Sequence, residues 1–284
     1  MDWKKKIVQT HRGVFELFEK GEGPPLVVTH LYSEFNETGD YFANSMVGNY
    51  KVILLNLRQC GESERVQEPY QLSLLETIFD VEAVREELGY KQWGFAGHST
   101  GAMLGVVYGV HFSDRIRELI LVSGAAREYM SDTDACIYHP NHPSFHTMQA
   151  YLETLKRKDL THKERMSIKQ ARTKLSLYRP ERYDEYFDQK IEKQVSAGRL
   201  SYFSRELHIF DVTRKLEQVA CRTLVIGGRH DVQCPPLFSI EMAQSIPAAE
   251  LELFEESNHY PFIEEKEKFQ KVLARWRGVP LHNQ

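Results

Sequence analysis

The chain has 284 residues, which suffices for one large α/β domain or two small ones. Its net charge of −4 gives no basic field of the kind that favours nucleic acid, and its 42% hydrophobic and 27% charged residues are ordinary for a globular chain. No apolar run reaches the roughly 18 residues needed to span a bilayer. We therefore expect neither nucleic acid nor a membrane as a partner.

The cysteines and the N-terminal residues bear on the compartment. Cys60, Cys136, Cys221 and Cys234 are far apart and form no C-x-x-C pair. This spacing indicates reduced thiols and argues against a disulfide framework or a zinc site. Lysines at positions 4–6 are typical of the start of a signal peptide, but no apolar segment follows them. We therefore expect a cytoplasmic location.

The first half of the chain alternates short apolar runs with helical segments, as in a parallel α/β sheet. The first two strands are expected to form a hairpin, and a Gly/Pro-rich turn at 21–25 follows them. Apolar spacing from Leu72 to Leu88 predicts an amphipathic helix. The runs that predict strands are, in order, Lys6–Val8, Gly13–Phe18, Leu26–Thr29, Val52–Asn56, Trp93–Ala96 and Leu119–Ser123.

This alternation breaks after the sixth strand. From about residue 125 to about residue 210 no buried strand is evident, and polar segments of helical character follow one another. We interpret residues 125–210 as a helical cap, or lid, inserted into a core of residues 1–124 and 211–284. The predicted cap helices are Ser144–Lys158, Thr161–Leu177, Pro180–Ser196 and Leu200–Phe210. The core is expected to resume with strands at Arg222–Gly227 and Leu251–Phe254 and a closing helix at Glu264–Trp276.

A G-x-S-x-G motif at residues 97–101 lies between the Trp93–Ala96 strand and a helical segment, Ala102–Val110. In this motif the serine occupies a sharp strand-to-helix turn that exposes its hydroxyl at the top of the sheet. The two glycines remove side chains that would collide where strand and helix meet. The context predicts Ser99 as a nucleophile, and the alternative for this serine is an ordinary helix N-cap.

Two further strand ends supply the partners that a serine nucleophile needs. A hydroxyl attacks a carbonyl when a base takes its proton, and that base needs a carboxylate to fix its tautomer. Asp231 follows the strand that begins at Arg222, and His259, alone among twelve histidines, follows the last strand. Because parallel strands end at one edge of the sheet, we predict a catalytic triad of Ser99, Asp231 and His259. The alternatives are a helix-capping aspartate and a surface-loop histidine.

Over nearly its whole length the chain resembles the α/β-hydrolase superfamily, with a helical cap between the sixth and seventh strands. The nucleophile motif and the order of the triad carry this resemblance. Residues Arg58–Ser63 are similar to the D-x-R-G-x-G-x-S loop of the branch that holds proline iminopeptidases and related esterases, although Asn56 stands where that branch has Asp. The resemblance implies an α/β-hydrolase fold, a mostly parallel sheet flanked by helices, and a reaction that needs no metal or organic cofactor.

The attacked carbonyl becomes an oxyanion, which two preorganised N–H donors must stabilise. We expect these oxyanion-hole donors to be the backbone N–H groups of Thr100 and Tyr32. The resembling family has His-Gly-Gly-Pro-Gly in the loop that contains the second donor, whereas residues 30–34 here read His-Leu-Tyr-Ser-Glu. Because the peptidase-type loop is absent, we favour a small ester over a peptide.

Proline iminopeptidases bind the free amine of their substrates with acidic cap residues. Glu206 and Asp211 lie near the end of the predicted cap. Charged residues on exposed helices are usually solvated or paired, here with Arg205 and Arg214, and we therefore assign them no amine-binding role.

Three cap histidines, His139, His142 and His146, have a spacing that could suggest a metal site. Pro140 and Pro143 interrupt any helix that would align them, and no metal is expected. The alternative is a mobile loop over the entrance of the site.

The favoured function is therefore a serine hydrolase that cleaves a small carboxylic ester or amide through an acyl-enzyme. The alternative within enzymes is an aminopeptidase of the proline iminopeptidase kind, which would take a short peptide. A non-enzymatic receptor or binding protein on the same fold is the alternative from another class. The sequence leaves the oligomeric state open.

Overall fold

The computed structural model describes residues 2–278, and an eight-stranded sheet with helices on both faces forms its centre. The strands are β1 (Lys4–Thr10), β2 (Gly13–Lys20), β3 (Pro25–Val28), β4 (Ser33–Glu34), β5 (Lys51–Leu55), β6 (Trp93–His98), β7 (Ile116–Val122), β8 (Gln194–Val195), β9 (Arg222–Gly228) and β10 (Ala249–Phe254). The helices are α1 (Tyr41–Met46), α2 (Leu74–Glu87), α3 (Thr100–Phe112), α4 (Phe145–Lys156), α5 (His162–Lys174), α6 (Tyr183–Tyr186), α7 (Ala197–Glu206), α8 (Pro236–Ser245), α9 (Pro261–Glu264) and α10 (Lys266–Arg277). In residues 2–278 no helix has the length and apolar character that crossing a bilayer would require.

The order of strands across the main sheet is β1-β2-β5-β3-β6-β7-β9-β10. The first two strands form the expected antiparallel hairpin, β2 also pairs antiparallel with β5, and the remaining neighbours are parallel. The chain passes from β3 outward to β5 and then returns to β6 on the other side of β3. Ligands in such sheets bind where the order reverses, beyond the carboxyl ends of the strands. The loops after β3 and β6 therefore lie side by side at that point.

The central strands are buried on both faces, which explains their apolar runs. Along β6, Phe95 faces the core layer covered by α2, α3 and α8, and Ala96 faces the layer covered by α1 and α10. Leu121 and Ile120 of β7 divide between the two layers in the same way. The carboxyl ends of the parallel strands therefore meet at one edge of a sheet that is packed on both faces.

The segment between β7 and β9 differs in part from the expectation. Helices α4 and α5 lie within the first two predicted cap helices, and α7 continues into a 3-10 turn at Leu207–Ile209. The predicted helix Pro180–Ser196 is wrong, because only a 3-10 turn and the four-residue α6 form there. The rest is irregular until β8, which pairs with β4, so long-range pairing overrides local helix propensity.

The two ends of this segment lie next to each other. The N–H of Glu128 donates to the Phe210 carbonyl, and the N–H of Val212 donates to the Ala126 carbonyl, both at 2.8 Å. The chain thus leaves the sheet and returns to it at one place. The division into a core and a cap at residues 125–210 stays a prediction.

Candidate active site

Ser99 lies in the turn between β6 and α3. Its φ of 56° and ψ of −121° are strained for a residue with a side chain. Both motif glycines are required by close packing, since a Cβ on Gly97 would lie 2.2 Å from the backbone of Gly101 and one on Gly101 would lie 2.3 Å from the carbonyl oxygen of Thr29. Ser99 stands at the N-cap position of α3, yet its side chain forms no capping hydrogen bond. The hydroxyl is therefore not used as a cap.

Asp231 and His259 form a buried pair, with 3% and 2% of their surfaces exposed. Nδ1 of His259 lies 2.9 and 3.0 Å from the two carboxylate oxygens. One of these oxygens also accepts the backbone N–H groups of Gln233 and Cys234, each at 2.9 Å. With the Nδ1 proton held by the carboxylate, Nε2 is the nitrogen left to act as a base.

His98 connects the serine turn to the His259 loop. The two histidine rings lie 4.6 Å apart, and Nε2 of His98 lies 2.8 Å from the His259 carbonyl oxygen. Burial lowers the pKa of His98 well below its usual value, so the neutral ring donates to that carbonyl. Within residues 2–278 the Ser99 hydroxyl forms no hydrogen bond with His259. Such contacts often close only when substrate binds.

The carboxylate of Glu264 accepts hydrogen bonds from the backbone of the His259 loop. One of its oxygens accepts the N–H groups of Asn258 at 2.9 Å and Tyr260 at 3.1 Å, which flank the histidine. The other accepts the N–H of Tyr178 at 2.6 Å. Burial raises the pKa of the Glu264 carboxyl to about 7. This role of Glu264 is not predictable from the sequence, because nothing in its local pattern distinguishes it from a surface glutamate of a helix.

The loop after β3, which contains Tyr32, packs on the start of α3, which contains Thr100. Nε2 of His30 lies 3.1 Å from the Thr100 hydroxyl, and Gly101 abuts the carbonyl of Thr29. In the part of the chain that the structure describes, neither the Tyr32 N–H nor the Thr100 N–H donates a hydrogen bond. Their role in an oxyanion hole stays a prediction.

Arg199 of α7 fixes the loop after β3. This loop lacks the glycines that proline iminopeptidases have there. The buried guanidinium of Arg199 donates to the carbonyl of Leu31, to the carbonyl of Arg58 at 2.9 Å and to the hydroxyl of Thr77 at 2.8 Å. The N–H of Ser196 donates to the Tyr32 carbonyl at 2.9 Å. The loop carbonyls are thus fixed from outside. In the sequence, Arg199 stands four residues before Phe203, a spacing that fits the buried face of a helix but does not identify these partners.

Glu206 and Asp211 hold local backbone in place. Both oxygens of Glu206 accept the N–H of Leu74 at the start of α2, at 3.0 and 3.1 Å. Asp211 accepts the N–H and the hydroxyl of Thr213, at 2.9 and 2.6 Å. The expected ion pairs with Arg205 and Arg214 do not form among residues 2–278. Of the two alternatives, solvation or pairing with these arginines, the pairing does not occur, because backbone donors occupy both carboxylates.

The cap histidines also serve local structure. Nδ1 of His139 accepts the N–H of Asn141 at 3.2 Å, and Nδ1 of His142 accepts the N–H of Ser144 at 3.1 Å. Among residues 2–278 no group of three or more His, Cys, Asp or Glu side chains is placed to hold a metal ion.

A family model described as the alpha/beta hydrolase fold matches residues 29–266. The chain therefore belongs to the α/β hydrolases, and it is an enzyme of the serine esterase or aminopeptidase type. The predicted superfamily and fold class are confirmed by this match.

Proteins similar to this chain are also hydrolases. A proline iminopeptidase of Levilactobacillus brevis is 28% identical over 253 residues, which cover 82% of this chain and 80% of that protein. The solved structure of an alpha/beta fold family hydrolase from Bacillus anthracis str. Sterne is 39% identical, with a TM-score of 0.93 over 97% of this chain and 99% of that chain. An esterase from Exiguobacterium antarcticum shares the fold at 23% identity, with a TM-score of 0.70 over 96% of this chain and 99% of its own.

Proposed function

We propose that this hydrolase cleaves small carboxylic esters, or amides, through an acyl-enzyme on Ser99. The observation that supports this most is the buried Asp231–His259 pair beside the strained serine turn. Nε2 of His259 takes the hydroxyl proton as the serine oxygen attacks the carbonyl carbon, and the N–H groups of Tyr32 and Thr100 stabilise the oxyanion. The imidazolium then protonates the leaving group, and His259 activates the water that releases the acid.

An ester is favoured over a peptide for two reasons. The glycine-rich loop of proline iminopeptidases is absent, and both acidic residues near the end of the cap, Glu206 and Asp211, are occupied by backbone donors. The second candidate is an aminopeptidase of the proline iminopeptidase kind, which the 28% identity to the L. brevis enzyme favours.

A fluorophosphonate probe and two substrates test this proposal. Wild type should label at one site and hydrolyse p-nitrophenyl acetate, and Ser99→Ala should do neither. Faster turnover of proline naphthylamide than of any short p-nitrophenyl ester would favour the aminopeptidase. Rapid labelling without turnover of either substrate class would favour a binding protein that retains a reactive serine.

We also propose that residues 125–210 act as a cap that shapes the acyl pocket. Cap residues contact both sides of the site, since Arg199 bonds the loop after β3 and the Ser176 carbonyl accepts the N–H of His259 at 3.3 Å. Exchange of these residues for those of another family member should change ester preference and leave fluorophosphonate labelling intact. Unchanged preference would contradict this role.

A cytoplasmic location is proposed as well. All four cysteines are buried and free, as in chains kept in a reducing compartment. Fractionation of the native cells tests it, and recovery of the protein outside the cytoplasm would contradict it.

A further inference from the structure

Helix α5 carries a cation without a partner close to the site. The C-terminal end of this helix lies on the His259 loop, since the His259 N–H donates to the carbonyl of Ser176, four residues beyond Arg172. The neighbouring ion pairs of this region use other cations, namely Lys156, Arg157, Arg179 and Arg182. Among residues 2–278 the half-buried Arg172 side chain takes part in no ion pair and no hydrogen bond.

Three tyrosines from different parts of the chain experience the positive charge of Arg172. Tyr32 lies in the loop with the oxyanion donor, Tyr260 follows the base with its ring 5.2 Å from the ring of His259, and Tyr138 precedes α4. Burial raises the pKa of all three phenols, that of Tyr260 to about 12, and the charge of Arg172 partly opposes each rise. The guanidinium is thus within electrostatic range of all three hydroxyls, and the phenols stay neutral near pH 7.

Nearby carboxylates are already engaged. Asp231 binds His259 and two backbone N–H groups, and Glu264 accepts three backbone N–H groups. The positive charge of Arg172 is therefore left without a counter-charge from the protein. A cation in this position attracts a ligand of opposite charge.

The chemistry of the donors identifies the ligand class. A guanidinium presents hydrogen-bond donors only, and its fork matches the two oxygens of a carboxylate. Lys169, one turn earlier on α5, also has no ion-pair partner in residues 2–278, and the two cations would favour the approach of an anion. A cationic amine, by contrast, would be repelled here.

We propose that the substrate is an anionic ester whose free carboxylate binds Arg172. This inference rests on the ester hydrolysis proposed above and names its substrate class: a half-ester of a small dicarboxylic acid, with the scissile carbonyl at Ser99 and the free carboxylate at α5. Such a ligand would supply the missing counter-charge at the same time as it presents its ester to the nucleophile.

Two esters of equal chain length, monomethyl glutarate and methyl valerate, test the proposal. Their hydrolysis is measured by the proton that each cleavage releases. They differ in the charge at the far end of the acyl chain. Wild type should prefer the anionic ester, and Arg172→Gln should lower the ratio of the two kcat/KM values about 10- to 100-fold, the usual effect of losing a charged hydrogen bond. Lys163→Gln, which removes the same charge from the exposed face of α5, should keep the wild-type ratio.

Binding without turnover gives a second measurement. Glutarate should raise the Tm of wild type, of Ser99→Ala and of Lys163→Gln, and it should leave the Tm of Arg172→Gln unchanged. Equal stabilisation of Arg172→Gln, or a wild-type preference for methyl valerate, would overturn the proposal. Hydrolysis of methyl valerate and fluorophosphonate labelling report on the proposed ester hydrolysis itself. If both failed while glutarate still bound through Arg172, the proposed function would be wrong and the carboxylate site would remain.

Discussion

The Asp231 carboxylate serves two neighbours of different chemistry, the His259 ring and a turn of its own backbone. An asparagine can keep the turn by offering its oxygen to the N–H of Gln233. Its amide nitrogen would then face Nδ1 of His259 as a donor, which forces the proton onto Nε2 and removes the base. A substitution of Asp231 by asparagine can therefore impair catalysis without impairing folding.

Asp231→Asn should lower kcat by about 10³- to 10⁴-fold, as expected for loss of the correct tautomer, while the Tm changes little. Steady-state ester hydrolysis and thermal unfolding measure the two effects. Asp211→Asn is a matched control, because Asp211 also accepts the N–H two residues ahead of it but lies on the surface, and it should keep wild-type activity. Comparable activity of the two variants would mean that another carboxylate orients the base.

At the scale of elements, helix α7 fixes the loop after β3, which lacks the glycine-rich sequence of the proline iminopeptidases. A glycine-rich loop can take up its shape by its own backbone freedom. Here the loop after β3 has ordinary side chains, and the guanidinium of Arg199 fixes two carbonyls and the hydroxyl of Thr77. Arg199 is thus a positioning residue for the predicted oxyanion donor at Tyr32.

Arg199→Lys keeps the charge but cannot reproduce three bonds in a fixed fork. We expect kcat to fall roughly 10-fold with little change in KM, because a displaced oxyanion donor weakens the transition state more than the bound substrate. The rate of fluorophosphonate labelling should fall in parallel. Arg205→Lys, on the exposed side of the same helix, should match wild type in both measurements. A rise in KM at constant kcat would show that Arg199 acts on substrate binding instead.

The same elements show what the sequence could predict. The strands were predictable because they are apolar runs buried on both faces, and the positions of Ser99, Asp231 and His259 followed from the strand ends. Helix α5 was predictable from local signals, since Thr161 and Glu164 form a capping box at its start.

The residues that the sequence could not reveal depend on partners far away in the chain. Arg199 bonds residues 122 to 168 positions away, and its own neighbourhood contains no sign of them. The helix predicted over residues 187–195 does not form for a related reason. The backbone of Glu192 bonds to the side chains of Asn36 and Thr38, more than 150 positions earlier. Local propensity carries no information about such contacts.

At the scale of the whole molecule, Glu264 connects the His259 loop, the segment after α5 and helix α9. It bonds the backbone on both sides of His259 at the edge of the sheet and the backbone of Tyr178 after α5, and it belongs to α9 beneath them. The same burial that makes these bonds strong makes its ionisation unfavourable, and its pKa rises from 4.5 to about 7. In the unfolded chain the carboxyl titrates near its ordinary value. Between these two pKa values the folded protein holds a proton that the unfolded chain has released, so stability must fall as pH rises through this window.

Glu264→Gln removes this titration. Relative to the variant, wild type should lose about 2 kcal/mol of its free energy of unfolding between pH 5 and pH 8, because a shift of this size acts over most of that interval. Urea unfolding of both proteins at several pH values measures the difference. Glu267→Gln changes the same charge at an exposed position of α10, and its curve should run parallel to that of wild type. If the Glu264→Gln curve were parallel too, the carboxyl would ionise in the folded state as it does in the unfolded chain, and the connection between the His259 loop and the segment after α5 would not depend on pH.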